Sequence, residues 1–120
     1  MTTSRIVIAA LLGIALIPAC ARAHAILVQS EPAAGAKVPA GRVDLSFSYN
    51  SRIDRARSRL TLTSPDHTHS VLKIAPDGPP NLLETTTNLE TPGAYVVRWQ
   101  VLAIDGHITR GDVPFTVLGH

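Results

Sequence analysis

The sequence predicts an all-β domain, a seven-stranded Greek-key sandwich or barrel of immunoglobulin-like type. Three observations carry this. Apolar residues alternate with polar ones at period two in several segments, the pattern of strands buried on one face. Clusters of Pro, Gly, Asp and Ser separate those segments at short intervals. The nine prolines leave little room for a long helix, because proline inside a helix costs about 3 kcal/mol.

Taken in order, Ala25–Gln29 is a weak strand candidate that ends before Glu31-Pro32-Ala33-Ala34-Gly35. After a second turn at Pro39-Ala40-Gly41, Val43, Leu45, Phe47 and Tyr49 alternate with Asp44, Ser46 and Ser48. Leu60 and Leu62 alternate with Thr61 and Thr63, and Ser64-Pro65-Asp66 closes that segment. Ser70–Ile74 and Asn81–Thr86 are weaker candidates on either side of Pro76-Asp77-Gly78-Pro79-Pro80. Beyond Thr91-Pro92-Gly93, the strongest segment sets Tyr95, Val97, Trp99 and Val101 against Val96, Arg98 and Gln100. Val113, Phe115 and Val117 form the last one. The aromatic residues Phe47, Tyr49, Tyr95, Trp99 and Phe115 all fall on faces that alternation buries, so they are expected in the core. Arg52, Arg55, Arg57 and Arg59 read as a solvated loop or a charge-protected edge, with a docking patch for a membrane partner as the lesser alternative.

Residues 1–23 have the layout of a secretory signal peptide, with Arg5 ahead of an uncharged stretch from Ile6 to Ala19. That stretch is shorter than the roughly 20 apolar residues a membrane span takes. Ala21-Arg22-Ala23 offers the small-x-small pattern of a cleavage site, which makes His24 the first residue of the mature chain. A lipoprotein processed at Cys20 is a poorer fit, because Pro18 sits awkwardly before it. Residues 24–120 are then expected to form one β domain. The net charge of +2 belongs to the leader: Arg5 and Arg22 leave with it, and nine basic and nine acidic residues remain. A basic, nucleic-acid-binding surface therefore has no support. Cys20 and Met1 are the only Cys and Met, and both lie in the leader. The mature domain must hold itself together with its core, without disulfides.

The five histidines are His24, His67, His69, His107 and His120. No zinc-protease or nucleophile-elbow pattern surrounds them. A new terminus at His24 would carry an amine and an imidazole on one residue. The α-amine, with an ordinary pKa of about 7.7–8.0, gives up its proton to a metal far more readily than a lysine does. Two nitrogens chelating one ion occupy adjacent corners of a square, which suits Cu(II). Asp105-Gly106-His107 follows the strongest strand. In extended backbone, residues two apart point the same way, so Asp105 and His107 can present oxygen and nitrogen to one ion. An Asp-Gly turn with an exposed histidine is the plainer alternative. His67 and His69 read as part of an exposed polar loop, and a weak second metal site there stays open.

The segment His24–Gly35, with its His-Ala-x-Leu-Val-x-Ser-x-Pro-Ala-x-Gly pattern, resembles the mature start of CopC-like copper resistance proteins. Leu45–Ser48, Gly93-x-Tyr95-x-Val97-x-Trp99, and Asp105-x-His107 ahead of Gly111-x-Val113-x-Phe115 extend the resemblance over nearly all of residues 24–118. It implies a periplasmic, cupredoxin-like β fold that binds copper. It further implies one Cu(II) per mature chain, held by the amine and imidazole of His24, by His107, and by Asp105 as ligand or near neighbour. A CopD-like inner-membrane copper transporter is the implied partner of a monomeric, non-enzymatic protein. Some relatives bind Cu(I) through a Met-rich loop. The matching stretch here, Ser64–Ser70, has no Met, and thioethers are what select Cu(I), so no Cu(I) site is expected. A Glu that some relatives place near Phe47-Ser48 is replaced by Tyr49. Two alternatives stand beside this reading: an N-terminal-histidine copper oxidative enzyme, and a metal-free immunoglobulin-like interaction module.

Overall fold

The computed structural model describes residues 25–119. The signal-peptide expectation, His24 and His120 lie outside those residues. Eight strands form two facing sheets: β1 (Leu27–Glu31), β2 (Ala36–Pro39), β3 (Gly41–Tyr49), β4 (Arg59–Thr63), β5 (His69–Leu72), β6 (Leu82–Leu89), β7 (Gly93–Leu102) and β8 (Ile108–Leu118). One sheet has the order β1-β3-β6, the other β2-β8-β7-β4-β5. The architecture is a sandwich rather than a barrel. The strand beyond the expected seven is β2, a short piece between two turn signals with too few residues to show alternation. It pairs parallel to β8, with Ala36 opposite Phe115. The other strand pairs are antiparallel.

Alternation places the core as expected. Val43, Leu45, Phe47 and Tyr49 of β3 are buried, and so are Tyr95, Val97, Trp99 and Val101 of β7 and Val113, Phe115 and Val117 of β8. Each fully buried side chain of this size contributes roughly 1.5–3 kcal/mol through the water it sheds. Trp99 and Tyr49 meet edge to face across the two sheets, with centroids 5.3 Å apart. Tyr95 stacks on its cross-strand partner Phe115 at 5.7 Å. Gly111 lies opposite Trp99 in the β7–β8 ladder, and a Cβ there would come within 2.4 Å of the indole. Only glycine leaves room for that ring.

The arginine cluster is not uniformly solvated, as the sequence suggested. A single 3-10 turn, Arg55–Arg57, is capped by Asp54. Arg55 turns inward, and its Nη2 donates to the carbonyls of Pro79 (2.7 Å) and Leu82 (2.9 Å). It thereby ties the proline-rich loop before β6 to the turn before β4. Arg57 pairs with Asp54 at 2.9 Å, while Arg52 and Arg59 stay exposed.

Candidate metal centre

The longest strands, β7 and β8, run antiparallel from Gly93↔Val117 to Leu102↔Ile108, and the five residues Ala103–His107 join them. The loop closes through two backbone bonds. The Gly106 N–H donates to the Ala103 carbonyl (2.9 Å), and the Ala103 N–H to the His107 carbonyl (2.8 Å). Gly106 has φ +95°, a region that side chains rarely adopt, although nothing crowds the position where its Cβ would sit. Glycine is needed here for conformation, not for space.

The loop sets Asp105 and His107 side by side. Asp105 Oδ1 accepts the backbone N–H of His107 at 3.1 Å. Its Oδ2 lies 3.1 Å from His107 Nδ1. The carboxylate thus holds both the backbone and the ring of the histidine two residues on. A carboxylate on one imidazole nitrogen fixes the tautomer and the ring plane, and leaves the other nitrogen directed outward. The His107 side chain is 54% exposed and that of Asp105 32%. The pair therefore faces solvent at one end of the sandwich.

The start of the described chain arrives at the same end. Ala25 is buried (1% exposed), and its carbonyl accepts the Thr109 hydroxyl at 2.9 Å. Thr109 is two residues beyond His107. Next to it, the Ile26 N–H donates to Asn50 Oδ1 (2.8 Å), and the Asn50 N–H returns a bond to the Ile26 carbonyl (3.0 Å). Residue 25 is therefore pinned beside the first turn of β8 by partners far away in sequence. Neither Thr109 nor Asn50 stood out in the sequence, since a polar residue that bonds one distant carbonyl leaves no periodic trace.

His67 and His69 do not join this centre. They lie in and after the Ser64–Thr68 loop, at the Gly93 end of β7, and His69 Nδ1 is 2.9 Å from the Thr63 hydroxyl. Among the described residues no three of His, Cys, Asp and Glu cluster closely enough to hold a metal. The clefts of 550 and 530 Å³ on the sheet faces are lined by residues such as Asp44, Glu84, Arg55 and Leu72, not by Asp105 or His107.

A CopC domain family model matches residues 27–118. The chain belongs to the CopC domain family. Copper resistance protein C of Pseudomonas syringae pv. tomato is 32% identical over 109 residues, spanning 85% of this chain and 86% of that protein. Among solved structures, CopC from Methylosinus trichosporium OB3b superposes with a TM-score of 0.71 at 26% identity, covering 81% of this chain and 96% of its own. PcoC of Escherichia coli, described as a methionine-rich copper resistance protein, gives 0.62 at 26% identity, covering 80% of this chain and all of its own. CopC domains are copper-binding β-sandwiches. This CopC domain differs from a methionine-rich one: the sequence has a single Met, Met1.

Proposed function

We propose that the chain is an exported Cu(II)-binding protein of the periplasm, whose site is completed when the leader is cut before His24. The observation that carries this is the Thr109–Ala25 bond. It fixes Ala25, the residue after His24 in the sequence, beside the strand that begins just after His107, and consecutive Cα atoms are only about 3.8 Å apart. The mature terminus would supply an amine and an imidazole from one residue. His107 would add a third nitrogen, held in orientation by Asp105, whose carboxylate would stand next to the ion or in contact with it. Nitrogen and oxygen donors without sulfur suit Cu(II). An anionic oxygen beside the ion favours the divalent state, which supports binding and release of cargo over redox turnover. In this role the monomer sequesters one Cu(II), or passes it to a CopD-like transporter in the inner membrane.

The test is to block the amine. Adding one residue before His24 is expected to weaken Cu(II) binding, followed by competition titration, on the order of 100-fold or more. Affinity that survived both this extension and His107→Ala would place the site elsewhere. Mass spectrometry of the exported protein checks the cut itself, with His24 expected as the first residue.

A further inference from the structure

Six large apolar side chains stand exposed among the described residues: Ile26, Val28, Val71, Ile104, Ile108 and Leu118. Four of them surround the Asp105–His107 end. Ile104 and Ile108 flank the pair in sequence, at 68% and 50% exposure. Ile26 adjoins Ala25, which Thr109 holds against the start of β8. Val28 falls where the β1–β3 register shifts, and it is turned out to 61% exposure. Backbone bonds close the circle: Asn50 pairs with Ile26, and two residues on, the Arg52 carbonyl accepts the Ile104 N–H at 3.3 Å. The apolar side chains thus project from one connected rim.

Cations border that rim. Arg59, Gln100 and Arg110 face each other across β4, β7 and β8 on the outer face, two register positions inward from the Leu102–Ile108 pair. Arg52 lies in the rim itself. Arg52, Arg59 and Arg110 are exposed and have no ion pair among the described residues; Arg110 donates only to the neutral Gln100 side chain. Nearby carboxylates are committed otherwise. Asp54 is held by Arg57, Asp112 by Arg98, and Asp105 by His107. Asp77 lies in the adjoining loop that Arg55 ties down. The opposite end carries Asp66 and Glu90 in its turns, with Lys37 in β2 and Arg42 at the start of β3. What sets the apolar end apart is three exposed arginines, Arg52, Arg59 and Arg110, beside its aliphatic side chains.

We propose that this end is an interfacial face that binds anionic phospholipid bilayers. Scattered isoleucines bordered by arginines are what an anionic interface recognises. The aliphatic side chains enter the headgroup boundary, and each cation near the surface gains from the negative potential. A flat protein interface would instead call for a continuous apolar core. Binding in this orientation brings the Asp105–His107 centre to the lipid surface. It needs no copper, so its failure and that of the copper reading are separable.

The experiment is co-sedimentation of the metal-free processed protein, with its first residue verified, with phosphatidylglycerol/phosphatidylethanolamine vesicles and with pure phosphatidylcholine vesicles. Binding is expected to the first, with strong weakening by salt, and not to the second. Arg59→Gln combined with Arg110→Gln should reduce partitioning at least about tenfold. Ile104→Ser combined with Ile108→Ser should abolish it, with unchanged thermal unfolding showing that both variants fold. No binding to the anionic vesicles overturns the proposal. So does equal binding to phosphatidylcholine, or binding that both double variants leave intact. Equal affinity for soluble polyglutamate, independent of the isoleucines, would assign the face to an acidic protein instead.

Discussion

The two ends of the sandwich carry the same loop with different cargo. Ala103–His107 joins β7 to β8, and Ser64–Thr68 joins β4 to β5, each with five residues. In both, the first N–H bonds the fifth carbonyl, and the fourth N–H bonds the first carbonyl. In both, the third residue is an aspartate whose Oδ1 accepts the N–H two residues on, at 3.1 Å. In both, the fourth residue has positive φ: Gly106 at 95° and His67 at 70°. The difference lies in who receives the carboxylate. His107 takes it at one end, while at the other the Thr68 hydroxyl takes it at 2.7 Å. His67 occupies the strained position, where its ring does not meet the carboxylate, and His69 bonds Thr63 instead. An Asp and a His close in sequence do not make a centre. On the proposed reading, what distinguishes the two is a histidine two residues after the aspartate together with a second chain segment arriving there, as Ala25 does through Thr109.

The largest expected effect comes from exchanging the recipients. His107→Thr should reduce Cu(II) affinity on the order of 100-fold or more in a competition titration. The reciprocal Thr68→His should create no tight site at the distal loop, because the paired amine and imidazole proposed for a mature His24 terminus belong to the other end, where Ala25 is held by Thr109. A tight second Cu(II) in that variant would show that the loop suffices, and would break the contrast. Next in size is the tether. Thr109→Val removes one hydrogen bond and leaves the buried Ala25 carbonyl without its donor, at a cost of about 1–3 kcal/mol in denaturant unfolding. Copper affinity should fall with it, while Thr68→Val in the distal loop leaves affinity unchanged.

The fourth loop position should respond with opposite signs. Gly106→Ala is expected to destabilise by about 1–2 kcal/mol, since it places a Cβ in left-handed backbone. His67→Gly should be neutral or stabilising by up to about 1 kcal/mol. Equal signs in thermal unfolding would mean that the loops are not equivalent.

The smallest expected effect concerns one tyrosine from each half. Burial raises Tyr49, whose hydroxyl has no partner, well above the ordinary value of 10.0. Tyr95, which donates to the Thr91 carbonyl at 2.7 Å, is raised by burial and then by the nearby Asp66 charge. The folded state holds both protons more tightly than the unfolded chain does. Their contribution to stability is therefore complete below pH 10.0 and drains away as the pH climbs past it. Phenolate absorbance should rise together with unfolding rather than before it. Asp66→Asn should ease the ionisation of Tyr95 slightly and leave Tyr49 unmoved.

Much of this molecule is legible in its sequence, for a definite reason. A strand buried on one face must alternate, so β3, β7 and the inner half of β8 announce themselves, and their aromatics are core. The nearness of Asp105 to His107 is legible too, although it arises from a turn at Gly106, the plainer of the two readings, and not from extended backbone. β2 is not, because four residues cannot display a period. The inward turn of Arg55 is hidden too: a guanidinium that bonds loop carbonyls has the same sequence signature as a solvated one. The Thr109–Ala25 contact joins residues 84 apart. Nothing local encodes it, yet it decides which end the start of the chain reaches. The likeness of the two loops is equally hidden, because Asp-Gly-His and Asp-His-Thr share only the aspartate.

The close seat of Trp99 over Gly111 has a practical consequence. It is the chain's single tryptophan, wedged between β3 and β8 on the strand that leads to the Asp105–His107 loop. Its fluorescence comes from one dry, rigid environment, and bound Cu(II) quenches nearby emitters. With the metal at the proposed site, this tryptophan would serve as an optical probe, without any label, registering arrival of the ion by loss of light and unfolding by a shift of the emission to the red.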